Sequence, residues 1–551
     1  MLAEILGSLS GAVSNFKYLA LNPVFLIAAL WILWRVWTFT IKPKLRPLNP
    51  PVLPYALPFV GHTISFLWNR EELLSRGSKY FPGDAPYALF ILGIKYIVLR
   101  KPEDVKAVWN DAKSFSFDDY LRAAFAGFDI PPSSYTPTFK DDPARLWRGN
   151  HKDAPYFVKE NPAKKRYINL QDGWMKEALQ PGKKMDALSE IFMGHIEQLI
   201  PVYLSDPRIK AGDCKDHGQG QIVDLYNWGR YVLADAGSRA FLSSEILDID
   251  PDFVQHYIDW EDVSWKIPWS YPGILSQDMY KARETLVQVF MRYYTLDPTQ
   301  RPNLNWLFDR MQREHQQLGM SLHDTGTVAL IVLWGVHLNT YRMLFWTLTH
   351  ILSSPSLTIG IREETSCAFD SETNILSISH LMNKCPLLGA VWNEVLRLYA
   401  SSAMIRSCVS PTAIGNKTVK AGDRLLGPFR PMHLSSSIWG DDALDFKEKR
   451  WLKDGGIKKP RGFFPFGGGH MHCPGRTLAK QEVLLFVARV LMKYDIEPVG
   501  EKVVRYGEDP RGEGAQEKRW KVPEVSSKHT LATLDPKEQF LVRIKERSSQ
   551  L

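Results

Sequence analysis

One cysteine stands in a setting suited to chemistry. Phe463 to Val483 reads FFPFGGGHMHCPGRTLAKQEV. Three consecutive glycines make neither a good helix nor a good strand, so the chain there must turn tightly or let a flat group approach its backbone. Cys473 falls where a helix is expected to begin, because Pro474 suits a first turn and LAKQEVLLFVARVL follows with amphipathic spacing. A sulfur at a helix N-terminus faces unpaired N–H groups and the positive end of the dipole, which favours thiolate over thiol. A buried structural cysteine is the commoner fate of a lone Cys, and a zinc site built from His470, His472 and Cys473 is a third reading. The zinc reading lacks a fourth ligand at a familiar spacing.

Upstream, Glu394 and Arg397 lie three apart on a helix that Pro386 opens, so both share one face. Such a pair is either a solvated surface contact or a buried one. The most apolar internal helix runs from Thr327 to Ile351, with VALIVLWGV followed by His337, Asn339, Arg342 and LFWTL. As a membrane span it would put Arg and His in hydrocarbon, so a buried core helix is expected.

The elements that must position these residues are mostly helical. Met185 to Leu204 and Tyr280 to Tyr294 carry helical apolar periodicity, and Val409 to Leu426 has the turn residues and β-branched alternation of short strands. From about residue 62 onward no linker, charge block or repeat divides the chain, which predicts a single mainly α domain with a small β portion over 62–551. The 551 residues are 45% hydrophobic and 23% charged, enough apolar content to bury a core and exclude disorder. Lys plus Arg is 68 against 60 for Asp plus Glu, an excess of +8 too small on this length to indicate nucleic acid. The cysteines Cys214, Cys367, Cys385, Cys408 and Cys473 are odd in number and form no CxxC pair, which argues against a disulfide framework.

The N-terminus predicts an anchor. VFLIAALWILW from Val24 to Trp34 resumes after Arg35 as VWTFTI to Ile41, a helix of about 27 Å that just crosses a bilayer core. It ends in Lys42, Lys44 and Arg46 instead of a small-residue cleavage site. These outnumber Lys17 before it, which puts residues 1–23 in the lumen and the body in the cytosol. Pro43, Pro47, Pro50, Pro51, Pro54 and Pro58 then predict a stiff extended hinge over 42–61.

The sequence FGGGHMHCPG, carrying Phe466, Gly469, Cys473 and Gly475, resembles the haem-binding loop of the cytochrome P450 family, in which the cysteine thiolate is the proximal ligand of haem iron. Glu394 and Arg397 in EVLR, and Arg450 in FKEKRWL, are similar to further family motifs in the same order. The resemblance implies that these three form a buried triad under the haem. It implies also that Arg406 and His433 lie near the haem propionates. With the anchor and hinge it resembles the microsomal members, in the endoplasmic reticulum membrane with the catalytic domain cytosolic. It covers essentially the whole chain.

The chain departs from the pattern in two places. The distal helix, usually A-G-x-[D/E]-T, reads GVHLNT from Gly335 to Thr340. Gly335 is the small residue that admits a ligand, but Leu338 takes the acid position and Asn339 the alcohol position. In the family the alcohol and an ordered water deliver protons; an amide is a poor relay, and Thr340 is expected to reach a water instead. His337 is expected to face the core. Met471 stands where many members have Arg or His for a propionate, leaving His470 or His472 as substitutes. WGxxxNT with HMHCPGR is similar to the branch holding sterol 7-hydroxylases and prostacyclin synthase.

What the resemblance implies is a haem-thiolate monooxygenase that takes electrons from NADPH through a cytochrome P450 reductase and inserts one oxygen atom of O2 into a hydrophobic substrate, terpenoid, sterol-like or polyketide-like, in biosynthetic or secondary metabolism. A haem-thiolate isomerase or dehydratase acting on a peroxide without a reductase is the alternative, and a carrier or sensor without turnover the third. The substrate pocket is expected to draw on Tyr120 to Pro132 and the distal helix. Lys447, Lys449, Lys458, Lys459, Arg461 and Lys480 are expected to form a basic patch for the reductase.

Overall fold

The computed structural model describes residues 23–147, 154–212, 220–267, 273–452, 460–500, 502–506, 516–527 and 532–547. Residues 1–22 with Lys17, and Cys214, Lys458 and Lys459, lie outside them. The chain groups into two compact units, one of residues 1–117 with 404–428 and one of residues 118–403 with 429–551, where the sequence predicts one domain.

The smaller unit starts with helix α1 (Pro23–Val36), which continues through a π-helical turn at Trp37–Ile41 into Lys42–Leu45. The continuous helical stretch Pro23–Leu45 has 23 residues, and its most apolar 18-residue window has a mean hydropathy of 1.9 and no buried share. The hinge expected from residue 42 therefore starts later. Pro43 sits in the first turn of Lys42–Leu45, where its missing N–H costs little, and the N–H of Lys42 reaches back to the carbonyl of Trp37. Nor does the proline stretch stand away from the helix. Arg35 Nη1 donates to the carbonyl of Tyr55 and Trp31 Nε1 to that of Ala56, each at 2.7 Å, with the Tyr55 ring against Trp34 and Phe39.

A five-stranded sheet follows, in the order β1 (Tyr87–Ile91), β2 (Ile94–Val98), β5 (Arg424–Pro428), β4 (Ala403–Cys408), β3 (Phe115–Ser116). Leu92 and Gly93, both at positive φ, form the tight β1–β2 turn that pairs Ile91 with Ile94. β5 joins β2 in parallel, Ile97 opposite Leu425, and both residues are fully buried. Between β4 and β5, Thr412–Ile414 and Lys417–Val419 make a short hairpin, in keeping with the strands expected there.

The larger unit is mainly α and holds one continuous apolar core. Its helices include α2 (Lys183–Leu204), α3 (Leu225–Leu242), α4 (Phe253–Ser264), α5 (Gln277–Thr295), α6 (Leu322–His337), α7 (Thr340–Ser353), α8 (Pro386–Tyr399) and α9 (Arg476–Lys493). Ser321 caps α6 by accepting the N–H of Asp324 at 3.0 Å, and Asp224 caps α3 through the N–H of Tyr226. Every residue of α7 is buried, which agrees with a core helix. The single helix expected from Thr327 to Ile351 is broken, however. Leu338 and Asn339 form a turn between α6 and α7, with Asn339 at φ −112°.

Candidate active site

The break in the distal helix faces the cysteine loop across a cavity of about 270 Å³. Gly335, Asn339, Thr340 and Met343 line one wall, and Phe466, Gly467, Met471, Cys473 and Gly475 the other. Ala532 and Thr533, near the C-terminus, close a third side. A Cβ built on Gly335 would meet nothing within 4 Å, so that face of the helix is open toward the cavity.

The cysteine loop is set by backbone. Gly467 and Gly469 have φ of +73° and +64°, a region closed to most side chains, and the N–H of Cys473 donates to the carbonyl of Phe466 at 3.1 Å. The following helix starts at Arg476, three residues later than its sequence suggests, with Gly475 as its cap. The N–H groups of Gly475 and Arg476 still favour the sulfur anion, as does the Arg476 guanidinium, but burial outweighs them and pushes the Cys473 thiol up. Thiolate at this position therefore needs a cation on the cavity side. Among the described residues no three His, Cys, Asp or Glu side chains converge as a metal site. A flat apolar group carrying its own iron fits the cavity, with the sulfur on one wall, the bare Gly335 on the other and a buried Asn339 Oδ1 that has no partner.

Beneath the loop, Glu394 and Arg397 are fully buried and paired in a fork, Nε to Oε2 at 2.8 Å and Nη2 to Oε1 at 2.7 Å. Arg450 Nε donates to Glu394 Oε1 at 3.0 Å. Trp451 Nε1 and the N–H of Lys447, unforeseen in the sequence, complete the acceptor's shell at 2.9 Å each. Arg397 also donates to the carbonyls of His433, Ala443 and Asp445.

Several expected cavity residues do other work. His433 is fully buried away from the cavity, and its Nε2 accepts the N–H of Phe464 at 3.0 Å. Burial, with Arg397 beside it, lowers its pKa to about 3, and its Nδ1 is buried with no hydrogen-bond partner. His470 is exposed, and its carbonyl accepts from Lys176 Nζ at 2.8 Å. Neither His470, His472 nor Gly469 lines the cavity; Met471 does. Arg406 belongs to the smaller unit, where it stacks on Phe117 and donates to the carbonyl of Ile405. Lys447 is paired with Asp442 at 2.8 Å instead of standing free for a partner. None of Tyr120 to Pro132 lines the cavity; Phe128 and Ile130 are core.

His337 faces the core, against the Tyr257 ring and the bare Cα of Gly237, where a Cβ would come within 2.1 Å of the imidazole. Thr340 Oγ1 donates to the carbonyl of Val336 at 3.2 Å, with Glu482 of α9 nearby. Glu482 is buried, its Oε1 has no hydrogen-bond partner, and burial raises its carboxyl well above the usual range against a smaller lowering pull from Thr340. The sequence offered no signal for it beyond an acid inside an apolar helix.

Comparison with known proteins bears on the same loop and helices. The family model "Cytochrome P450" matches residues 252–518. A cytochrome P450 monooxygenase of Gibberella zeae is 30% identical over 477 residues, 84% of each chain. The chain belongs to the cytochrome P450 family. Human prostacyclin synthase is 29% identical to this cytochrome P450 over 83% of the chain and 89% of the synthase. The solved structure of retinoic acid bound cyanobacterial CYP120A1 superposes with a TM-score of 0.65 at 16% identity, covering 91% of this chain and 99% of that one, a likeness of fold alone. As a cytochrome P450 the protein is a haem-thiolate monooxygenase, a class that draws electrons from NADPH through a reductase and acts on hydrophobic substrates. Its apolar α1 is consistent with a membrane anchor.

Proposed function

We propose that this cytochrome P450 hydroxylates or epoxidises an apolar substrate, terpenoid, sterol-like or polyketide-like, with Cys473 as the axial ligand of haem iron. The observation that carries the reading is the cavity between the Cys473 sulfur and the open face at Gly335, Asn339 and Thr340. Bound there, haem supplies oxygen activation and one-electron chemistry. The chain's own residues do the rest. Glu394, Arg397 and Arg450 hold the floor under the cysteine loop, and Phe466, Met343, Leu396 and Phe429 exclude water. Thr340 sets its hydroxyl at the cavity wall, held by the carbonyl of Val336. In this reading residues 1–23 are lumenal, 24–41 anchor the chain in the endoplasmic reticulum membrane and 62–551 form the cytosolic catalytic region, joined to the anchor by the proline-rich stretch after Leu45.

The test is the carbon-monoxide difference spectrum of the reduced protein. Wild type should give the band typical of thiolate ligation and consume NADPH and oxygen with a microsomal reductase; Cys473→Ser should lose that band. A normal band in Cys473→Ser would sink the reading. A second reading, an isomerase of a substrate peroxide, is favoured by Asn339 at the usual alcohol position and by the similarity to prostacyclin synthase. Hydroperoxide turnover without reductase, together with no reductase-driven oxygen uptake, would select it.

A further inference from the structure

The break between α6 and α7 frees backbone carbonyls in the core, and side chains of the chain itself take them up. Thr340 Oγ1 takes that of Val336, and Arg342 Nη1 takes that of Leu338. Arg342 is buried, and an arginine buried beside a catalytic wall needs counter-charges. It has two, from different directions. Glu261 of α4, fully buried, accepts Nη1 at 2.8 Å, and Asp535 accepts Nε at 2.5 Å. Glu261 is itself held by Arg230 of α3 at 2.7 Å and by the Tyr341 hydroxyl at 2.8 Å. Asp535 is held by the Tyr226 hydroxyl at 2.6 Å.

Asp535 comes directly after the cavity wall. Ala532 and Thr533 line the cavity, the carbonyl of Ala532 accepts from Ser401, and that of Leu534 from Trp346 Nε1 at 2.8 Å. One guanidinium thus joins the segment that closes the third side of the cavity to the carbonyl at which the distal helix is interrupted. We infer that Arg342, clamped between Asp535 and Glu261, is a positioning residue that fixes Asn339 and Thr340 toward the cavity and ties that setting to the wall at Ala532 and Thr533. A ligand pressing on Thr533 loads Asp535, and through Arg342 the peptide of Leu338. The planar fork of Arg342 reaches both carboxylates and the carbonyl at once, which a lysine ammonium on a single point could not match. The inference rests on the reading of this cavity as the catalytic one.

The experiment uses the full-length holoenzyme. Asp535→Asn removes the wall-side charge while leaving the Glu261–Arg342–Arg230 pairing, and Asp535 is 18% exposed, so the fold survives. Amide hydrogen exchange over residues 338–343 should quicken by about tenfold or more, as for loss of one charge-assisted hydrogen bond. Spectral titration with 4-phenylimidazole, whose phenyl group probes the cavity lined by Asn339 and Thr533, should show affinity weakened several-fold, while imidazole, lacking that group, changes little. Asp535→Glu should restore both. Arg342→Lys, which keeps the charge but not the fork, should behave as Asp535→Asn does. Unchanged exchange at 338–343 in a haem-loaded Asp535→Asn protein of lowered thermal stability would assign the cluster to stability alone and overturn the inference. If wild type instead lacks the thiolate band, the catalytic reading fails, and the exchange arm still decides whether Arg342 clamps the helix break.

Discussion

Arg397→Ala should cost the protein its haem before it costs anything else. Arg397 and Glu394 have no solvent exposure, so their interaction is not screened. The substitution removes both arms of the fork from Glu394 and takes a donor from the carbonyls of His433, Ala443 and Asp445. Glu394 keeps Arg450, Trp451 and one N–H, but the carboxylate and three carbonyls must then be shared among too few donors. Breaking a buried pair in this way costs about 3–5 kcal/mol, comparable with the lower end of whole-domain stabilities. Arg450→Ala removes a contact that is 14% exposed, and should cost about 1.5–3 kcal/mol. Haem-to-protein ratio after purification, and the midpoint of heat-induced loss of the Soret band, report both. Arg397→Ala should be the worse, and Glu394→Gln with Arg397→Ala should cost less than the sum of the two, because each single change strands the other partner. Arg397→Ala protein with full haem and a midpoint within about 2 °C of wild type would refute the reasoning.

Thr340→Ala should leave haem content intact while reductase-driven NADPH oxidation yields more hydrogen peroxide per NADPH, measured by peroxide assay; unchanged peroxide would remove Thr340 from proton delivery. Deleting residues 1–41 should release haem-containing protein from carbonate-washed membranes, and firm pelleting would show a second attachment. His337 is pushed down to about 4 by burial, against a smaller opposing pull from Glu261. The unfolded chain therefore binds its proton first as pH falls, so stability is full above about 6.5 and is lost toward 4, at up to about 1.4 kcal/mol per pH unit for this group. Melting temperatures from pH 7 to 4.5 should fall less steeply in His337→Phe, and parallel curves would contradict the assignment.

What was legible in the sequence followed from local chemistry. The glycine run, the cysteine after it and the Glu/Arg spacing each dictate backbone form or shared face within a few residues, and the structure gathers them around one cavity and its floor. The helix break was not legible, because VALIVLWGVHLNTYRMLFWTL keeps one apolar character throughout. At the break Arg342 donates to the carbonyl of Leu338 while held by carboxylates some 80 and 190 residues away in sequence. Long-range polar clusters leave no periodic signal, so Arg342 could be read as a core residue but its partners, and Glu482, could not be foreseen. For His433 the resemblance implied a place near a haem propionate, and what the sequence could not show is its burial and its acceptance of the Phe464 N–H. The π turn before Pro43 and the return of Tyr55 onto α1 depend on contacts that proline spacing alone does not encode.

The approach of His337 to Gly237 has a consequence for how the sequence can drift. A methyl group at 237 would overlap the imidazole, so Gly237 admits no replacement while His337 stands. The reverse does not hold, since a smaller residue at 337 leaves room at 237. Mutation can therefore traverse this pair in one order only, 337 before 237. Lineages descended from such a chain should keep glycine at 237 wherever 337 is large, and should gain alanine or serine there only after 337 has shrunk.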